Sequence, residues 1–192
     1  MMRRSPLLSR KDITWLTRRG GVIAVGTKPA KKKSDADRLV DIYNDLSREL
    51  AGLAFASPVT HVYNTLEYAA DPVRQYLELA GNGSKEVVFL GMNPGPWGWA
   101  RDRLGTPEAF FDRLFVANYC PLVFMEESGK NRTPDELQVS ERRQLSQLCD
   151  TALQKLVEVL QPEWVIGIGK FAEDHARATP GDKDLKIKIP QQ

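Results

Sequence analysis

Four apolar residues in a row, Val87-Val88-Phe89-Leu90, run directly into Gly91-Met92-Asn93-Pro94-Gly95-Pro96. This junction restricts the fold more than any other stretch of the chain. An apolar run without alternation describes a strand covered on both faces, the habit of parallel sheets. The two prolines remove backbone donors and fix φ, and the two glycines let the backbone approach a ligand closely, so the strand ends abruptly in a rigid loop. In open α/β sheets ligands bind beyond the carboxyl ends of the strands, where such a loop lies. Asn93 is its one polar side chain. Taken alone, Asn-Pro-Gly also describes an ordinary tight turn, so the functional reading needs other residues.

The same pattern recurs downstream. Leu114-Phe115-Val116-Ala117-Asn118 reads as a second buried strand ending in a polar residue, and Trp164-Val165-Ile166-Gly167-Ile168 as a third. Leu185, Ile187 and Ile189 alternate with lysines and give a fourth. Asn118 therefore falls at the same sheet edge as Asn93, which puts two amides in an otherwise apolar crevice. Helical patterns separate the strands. Ser34 is an N-cap for a helix that buries Leu39, Ile42, Tyr43, Leu46, Leu50 and Leu53. Asp71-Pro72 starts a short helix to about Ala80, and Thr106-Pro107 caps another. Thr133 and Glu136 form a capping box that announces a long helix with a buried stripe from Leu145 to Leu160. The last helix spans Gly169 to Ala178, with His175 on its surface. The stretch from Val59 to Ala70 reads as irregular, with Val62, Tyr63, Leu66 and Tyr68 as core contacts. Gly167-Ile168-Gly169-Lys170 lacks the spacing of a phosphate loop.

At 192 residues, 42% hydrophobic and 27% charged, the chain suits one globular domain. Its charge is uneven. Residues 1–34 hold ten Lys/Arg and a single acid, leaving seventeen bases and twenty-four acids of the chain's 27 and 25 for the remainder. The expected organisation is a basic, disordered arm over 1–34 followed by a globular domain over 35–192. Basic arms contact nucleic acid through phosphates, or are simply solvated. Cys120 and Cys149 read as buried thiols, so neither a disulfide framework nor a metal site is expected. No apolar run is long enough for a bilayer, so no membrane is expected and the setting is intracellular and reducing.

Three separated strings in order resemble one family: Gly91-Met92-Asn93-Pro94-Gly95-Pro96, Phe115-Val116-Ala117-Asn118-Tyr119-Cys120-Pro121-Leu122, and Ser128-Gly129-Lys130-Asn131-Arg132-Thr133-Pro134. Together with Tyr63-Asn64-Thr65-Leu66-Glu67-Tyr68-Ala69 upstream, they are similar to the single-strand-selective monofunctional uracil-DNA glycosylases over about Ala36 to Ile189. The resemblance implies an α/β fold, three-layer α/β/α with a four-stranded parallel sheet. It implies base-excision repair by hydrolysis of the N-glycosidic bond of uracil and related damaged pyrimidines in single- or double-stranded DNA. Asn93 would be the catalytic residue that positions the attacking water, Asn118 the reader of the uracil edge, and Met92 and Gly95 further substrate contacts. The protein would act as a monomer without cofactor or metal, in the cytoplasm of a bacterium or the nucleus of a eukaryote. Two family features are missing here: the longer stretch after Gly98 with its stacking Phe, and a His-Pro-Ser motif after the last strand. The alternative is therefore a catalytically silent nucleic-acid-binding relative.

The charge distribution makes one prediction. Deleting residues 1–33 should weaken binding to single-stranded DNA and flatten its salt dependence, by about 0.7 in log–log slope for each phosphate that the arm no longer neutralises. A fluorescence-anisotropy titration across salt concentrations checks this, and unchanged affinity and slope would make the arm a bystander.

Overall fold

The computed structural model describes residues 17–19, 22–24, 32–92, 106–179 and 186–188. Asn93 and Gly95 lie outside these residues. The chain divides into two units, Met1–Lys33 and Ser34–Gln192. In the first, β1 (Thr17–Arg19) and β2 (Val22–Ala24) pair antiparallel.

The second unit has a mixed α/β fold. Its first helix, α1 (Asp35–Leu50), begins as the sequence predicts: Asp37 N–H donates to Ser34 Oγ at 3.1 Å, and Ser34 N–H donates to the Asp37 carboxylate at 3.2 Å. It is followed by β3 (Val59–Asn64), α2 (Thr65–Tyr68), α3 (Ala70–Ala80) and β4 (Val87–Gly91). Then come α4 (Pro107–Arg113), β5 (Leu114–Asn118), β6 (Leu122–Glu126) and β7 (Asn131–Arg132). The unit ends with α5 (Val139–Leu160), β8 (Trp164–Gly167), α6 (Lys170–Ala178) and β9 (Lys186–Lys188).

Strands β5-β4-β8-β9 form one sheet in that order, each neighbouring pair parallel. A separate three-stranded sheet, β3-β6-β7, is antiparallel. The second sheet departs from expectation, since the sequence pattern is irregular over 59–70 and marks no strand at β6. The reason is an edge: among the described residues β3 pairs only with β6, so its side chains need not alternate cleanly between core and solvent. Val62 and Tyr63 of β3 are accordingly 39% and 50% exposed, and Tyr68 of α2 is 69% exposed; none is a core contact, while Leu66 does pack against the core.

The parallel sheet is covered unequally. Val88, Phe115 and Val165 are register partners, as are Leu90 and Ala117, and all five are buried in one cluster with Leu39 and Leu46 of α1, Leu77 of α3 and Leu145 and Leu153 of α5. The alternate residues Val87, Phe89, Val116, Trp164 and Ile166 are only half-buried. The unbroken apolar runs thus overstate burial on the second face. At the open edge of β5, the Tyr76 hydroxyl of α3 accepts from Val116 N–H and donates to Val116 C=O, both at 2.8 Å, satisfying backbone groups that an edge strand leaves unpaired. At the amino-terminal end of β4, buried Lys85 donates through Nζ to the carbonyls of Asn82, Phe111 and Asp112 at 2.8–3.0 Å, and burial lowers its pKa.

The capping box at Thr133 closes only a 3-10 turn, Pro134–Glu136, rather than the long helix. Leu137 turns extended and is buried, and a second capping box from Gln138 and Glu141 starts α5. Local signals mark a helix start correctly, but core contact for Leu137 moves it.

Gly167 ends β8 where α6 passes closest. A Cβ there would lie 2.5 Å from the backbone N and 2.6 Å from the Cα of Glu173. Gly167→Ala should therefore force strand and helix apart and cost about 1–3 kcal/mol of unfolding free energy, measurable by urea denaturation. Wild-type stability in that variant would show that α6 adjusts freely.

Candidate active site

The carboxyl ends of β4, β5 and β8 meet at one edge, and backbone hydrogen bonds extend their alignment past the paired residues. Gly91 is the register partner of Asn118. Tyr119 N–H donates to Gly91 C=O at 2.8 Å, Cys120 N–H to Met92 C=O at 3.2 Å, and Ile168 N–H to Leu90 C=O at 2.8 Å. Met92, and hence the start of the Asn93 loop, is held beside Asn118-Tyr119-Cys120. Gly169, with φ +88°, turns the chain from β8 into α6 in a conformation that disfavours a side chain.

Asn118 Oδ1 is buried and has no hydrogen-bond partner among the described residues. Leaving such an acceptor unpaired costs roughly 1–3 kcal/mol, which is unusual at a position that a tight-turn role would have satisfied. A small cavity of about 20 Å³ lies at this strand end, lined by Asn118, Tyr119, Leu90, Tyr43 and Cys149 among others; it has room for about one water. Among the described residues no three His, Cys, Asp or Glu gather as a metal site. Both cysteines are free and buried. The Cys120 thiol against it, then burial, pushes the Cys149 thiol up, which suits an inert core group rather than a nucleophile.

Behind Asn118, Tyr119 is 3% exposed and its hydroxyl donates to Asp150 Oδ1 of α5 at 2.7 Å. His175 Nδ1 lies 3.1 Å from the same carboxylate oxygen, and its ring packs 4.0 Å from that of Tyr119. Phe171 closes the group, 5.4 Å from Tyr119 and 4.6 Å from His175 by ring centroids. Burial, then the bond to Asp150, raises the Tyr119 pKa and keeps the phenol protonated. His175 is thus not a surface residue of α6, as its isolated position suggests; it ties α6 to α5 and to the residue next to Asn118. Helical spacing reveals the buried face of α5, but nothing in the sequence joins Asp150 to residues 31 and 25 positions away.

The Ser128–Pro134 string forms the turn into β7. Gly129 sits at φ +80°, and Arg132 is clamped by Glu126 Oε1 at 2.7 Å and the Glu136 carbonyl at 2.8 Å. The Thr133 backbone N–H and the Lys130 ammonium hold the Glu136 carboxyl down to about 2. These cations are structural partners of neighbouring acids.

No family model matches the chain. Among curated proteins, the single-strand selective monofunctional uracil DNA glycosylases of Mus musculus, Rattus norvegicus and Bos taurus are each 34% identical to it over 185 aligned positions. The match takes in 69% of this chain, 66% of the mouse and rat proteins and 68% of the bovine one. This chain belongs to the single-strand-selective monofunctional uracil-DNA glycosylase family. The chain spans about two thirds of the length of these glycosylases, slightly less for the mouse and rat proteins. Since 69% of 192 residues is fewer than 185, the glycosylases also carry a stretch that this chain passes over. The crystal structure of wild-type Pedobacter heparinus SMUG2 superposes with a TM-score of 0.58 over 81% of this chain and 85% of that one, at 15% identity, a likeness of fold.

Of the predicted site residues in this glycosylase-family chain, the structure brings Met92 and Asn118 to one edge, while Asn93 and Gly95 fall outside the described residues. The Tyr119 contact generates a prediction. Tyr119→Phe keeps the ring contacts and removes the bond to Asp150, so it should lower stability by about 1–2 kcal/mol, toward the low end for a bond to a charged group because Asp150 is partly solvated. Chemical denaturation checks it, and an unchanged midpoint would mean that Asp150 does not hold Tyr119 in solution.

Proposed function

We propose that this chain removes uracil from DNA, taking the nucleotide out of the strand and hydrolysing the bond between C1′ of the sugar and N1 of the base. The observation that carries this reading is the unpartnered, buried Asn118 Oδ1 beside the Gly91-Met92 strand end. An acceptor is what the imide N3–H of uracil requires, and the same amide can donate to the O4 carbonyl. Cytosine presents an amino donor and a ring acceptor at those positions and opposes both groups. Asn93, the next residue after Met92, would hold a water against C1′, with Met92 and Gly95 contacting the base through the backbone. As the C1′–N1 bond breaks, its electron pair leaves with the base, positive charge builds on the sugar, and the water oxygen bonds to C1′ and loses a proton to solvent, from which the departing uracil anion takes one up. An uncharged amide suffices for this role, because the site must orient the water and accommodate developing charge rather than supply a strong base.

The substrates would be uracil and related damaged pyrimidines in single- or double-stranded DNA, handled by a monomer. The names and identity of the curated relatives support the reaction class. The parallel strand order and the likeness to the solved structure support a three-layer α/β/α scaffold with a four-stranded parallel sheet. The stretch that the relatives carry and this chain skips favours a second reading, a silent nucleic-acid-binding relative.

Asn118→Asp separates these. A carboxylate cannot donate to O4, so single-turnover uracil release from a single-stranded oligonucleotide should fall by about 10²–10³-fold with the thermal midpoint little changed. A lowered midpoint with an unchanged rate from folded protein would return Asn118 to the role of a turn residue. DNA binding without any release by the wild-type chain would establish the silent relative instead.

A further inference from the structure

Two aromatic rings stand exposed and nearly parallel on the strand that runs up to the candidate site. His61 and Tyr63 occupy alternate positions of β3 and so share one face. Their ring centroids lie 6.4 Å apart and their planes differ by 10°. Tyr63 is 50% exposed and His61 is exposed as well. Across the ladder their register partners are Met125 and Val123, both half-buried, which place apolar side chains on the same face of the sheet. The His61 ring is oriented: the Thr60 hydroxyl donates to Met125 C=O at 3.2 Å, and His61 Nδ1 lies 3.0 Å from that hydroxyl oxygen, which is left to accept from an Nδ1–H.

The strand end is fixed to the site. Asn64 pairs with Leu122, and Thr65 donates from both its backbone N–H and its hydroxyl to Pro121 C=O, at 3.1 and 2.9 Å. Pro121 is three residues beyond Asn118, and Val123, opposite Tyr63, is five residues beyond it, within about 17 Å of chain contour. Core packing does not account for rings so exposed. Exposed parallel rings suit base stacking: the strand repeat sets side chains two positions apart at about 6.4–6.8 Å, and one base stacked between two rings, at about 3.4 Å per layer, needs a separation of about that size.

We infer that His61 and Tyr63 form an aromatic clip that stacks an unpaired base of single-stranded DNA a few nucleotides from the base presented to Asn118. The inference rests on the glycosylase reading for what brings DNA to this edge. A peptide strand adding to the β3 edge would use backbone groups and have no need of parallel rings. Charge contributes little here: Arg132 and Lys130 on the neighbouring turn are engaged by Glu126 and Glu136. Stacking is sequence-tolerant and uncharged, so the clip adds affinity that salt does not remove.

The test measures binding of the full chain to uracil-free single-stranded oligonucleotides by anisotropy, with 2-aminopurine placed at successive positions to report stacking. Tyr63→Ala and His61→Ala should each weaken binding about tenfold, equally at low and high salt, and abolish 2-aminopurine quenching at the clipped position. Tyr63→Trp should retain both. Circular dichroism confirms that the variants fold, which the exposure of both side chains favours. Unchanged affinity and quenching in Tyr63→Ala would overturn the clip, including in favour of a peptide partner. Because the oligonucleotides lack uracil, the outcomes separate: ring-dependent binding without uracil release from a uracil-containing strand leaves the clip standing and the glycosylase reading fallen, and release unaffected by removal of either ring does the reverse.

Discussion

Three backbone hydrogen bonds that continue the parallel ladders beyond their last paired residues, from Tyr119 to Gly91, Cys120 to Met92 and Ile168 to Leu90, govern everything proposed for this edge. They keep the strand ends level, so the residue before Asn93 lies beside the Asn118 end of β5 at the same sheet edge. A slip of one residue in β4 against β5 would turn the side chains of β4 to the other face of the sheet, burying Val87 and Phe89 and exposing Val88 and Leu90. The buried partners Val88, Phe115, Leu90 and Ala117 resist that slip, and in this way the core fixes the site.

Tyr119 connects the two. Its backbone N–H serves the ladder, its ring packs on His175 and Phe171, and its hydroxyl reaches Asp150 on the long helix. Asn118 is therefore flanked by a residue anchored in three directions, which suits the base-reading role proposed for its amide. The opposite end of the sheet is secured in another way, by a buried lysine on three carbonyls. Polar groups thus close both ends of an apolar sheet, and among those described at these ends Asn118 Oδ1 stands out as the acceptor without a partner.

The antiparallel β3-β6-β7 sheet begins where β5 ends, and Pro121 carries the chain from one to the other. This join brings the end of β3 beside the residues that follow Asn118. Two of the strings that carry the family resemblance, Phe115–Leu122 and Tyr63–Ala69, are therefore not independent of each other: they touch through Thr65 and Pro121, and each helps to place the other.

Strand cores and helix faces are legible in the sequence because burial imposes local periodicity. Val87–Gly91, Leu114–Asn118 and Trp164–Gly167 are strands where unbroken apolar runs put them, and Ser34 caps α1 as its spacing with Asp37 requires. Asn93 and Asn118 stand out because polar residues end those runs. Sequence could not give the second sheet, the shortened turn at Pro134, or the Asp150–His175–Tyr119 contacts. Each depends on partners distant along the chain: β3 needs β6 to become a strand, Leu137 needs a core pocket to interrupt a helix, and Asp150 needs two other elements to bring it a phenol and an imidazole. Local sequence determines which face of an element is apolar, because that follows from the backbone repeat. Which elements meet, and so which polar groups are satisfied and which is left waiting, was decided only when the packed sheet brought their ends together.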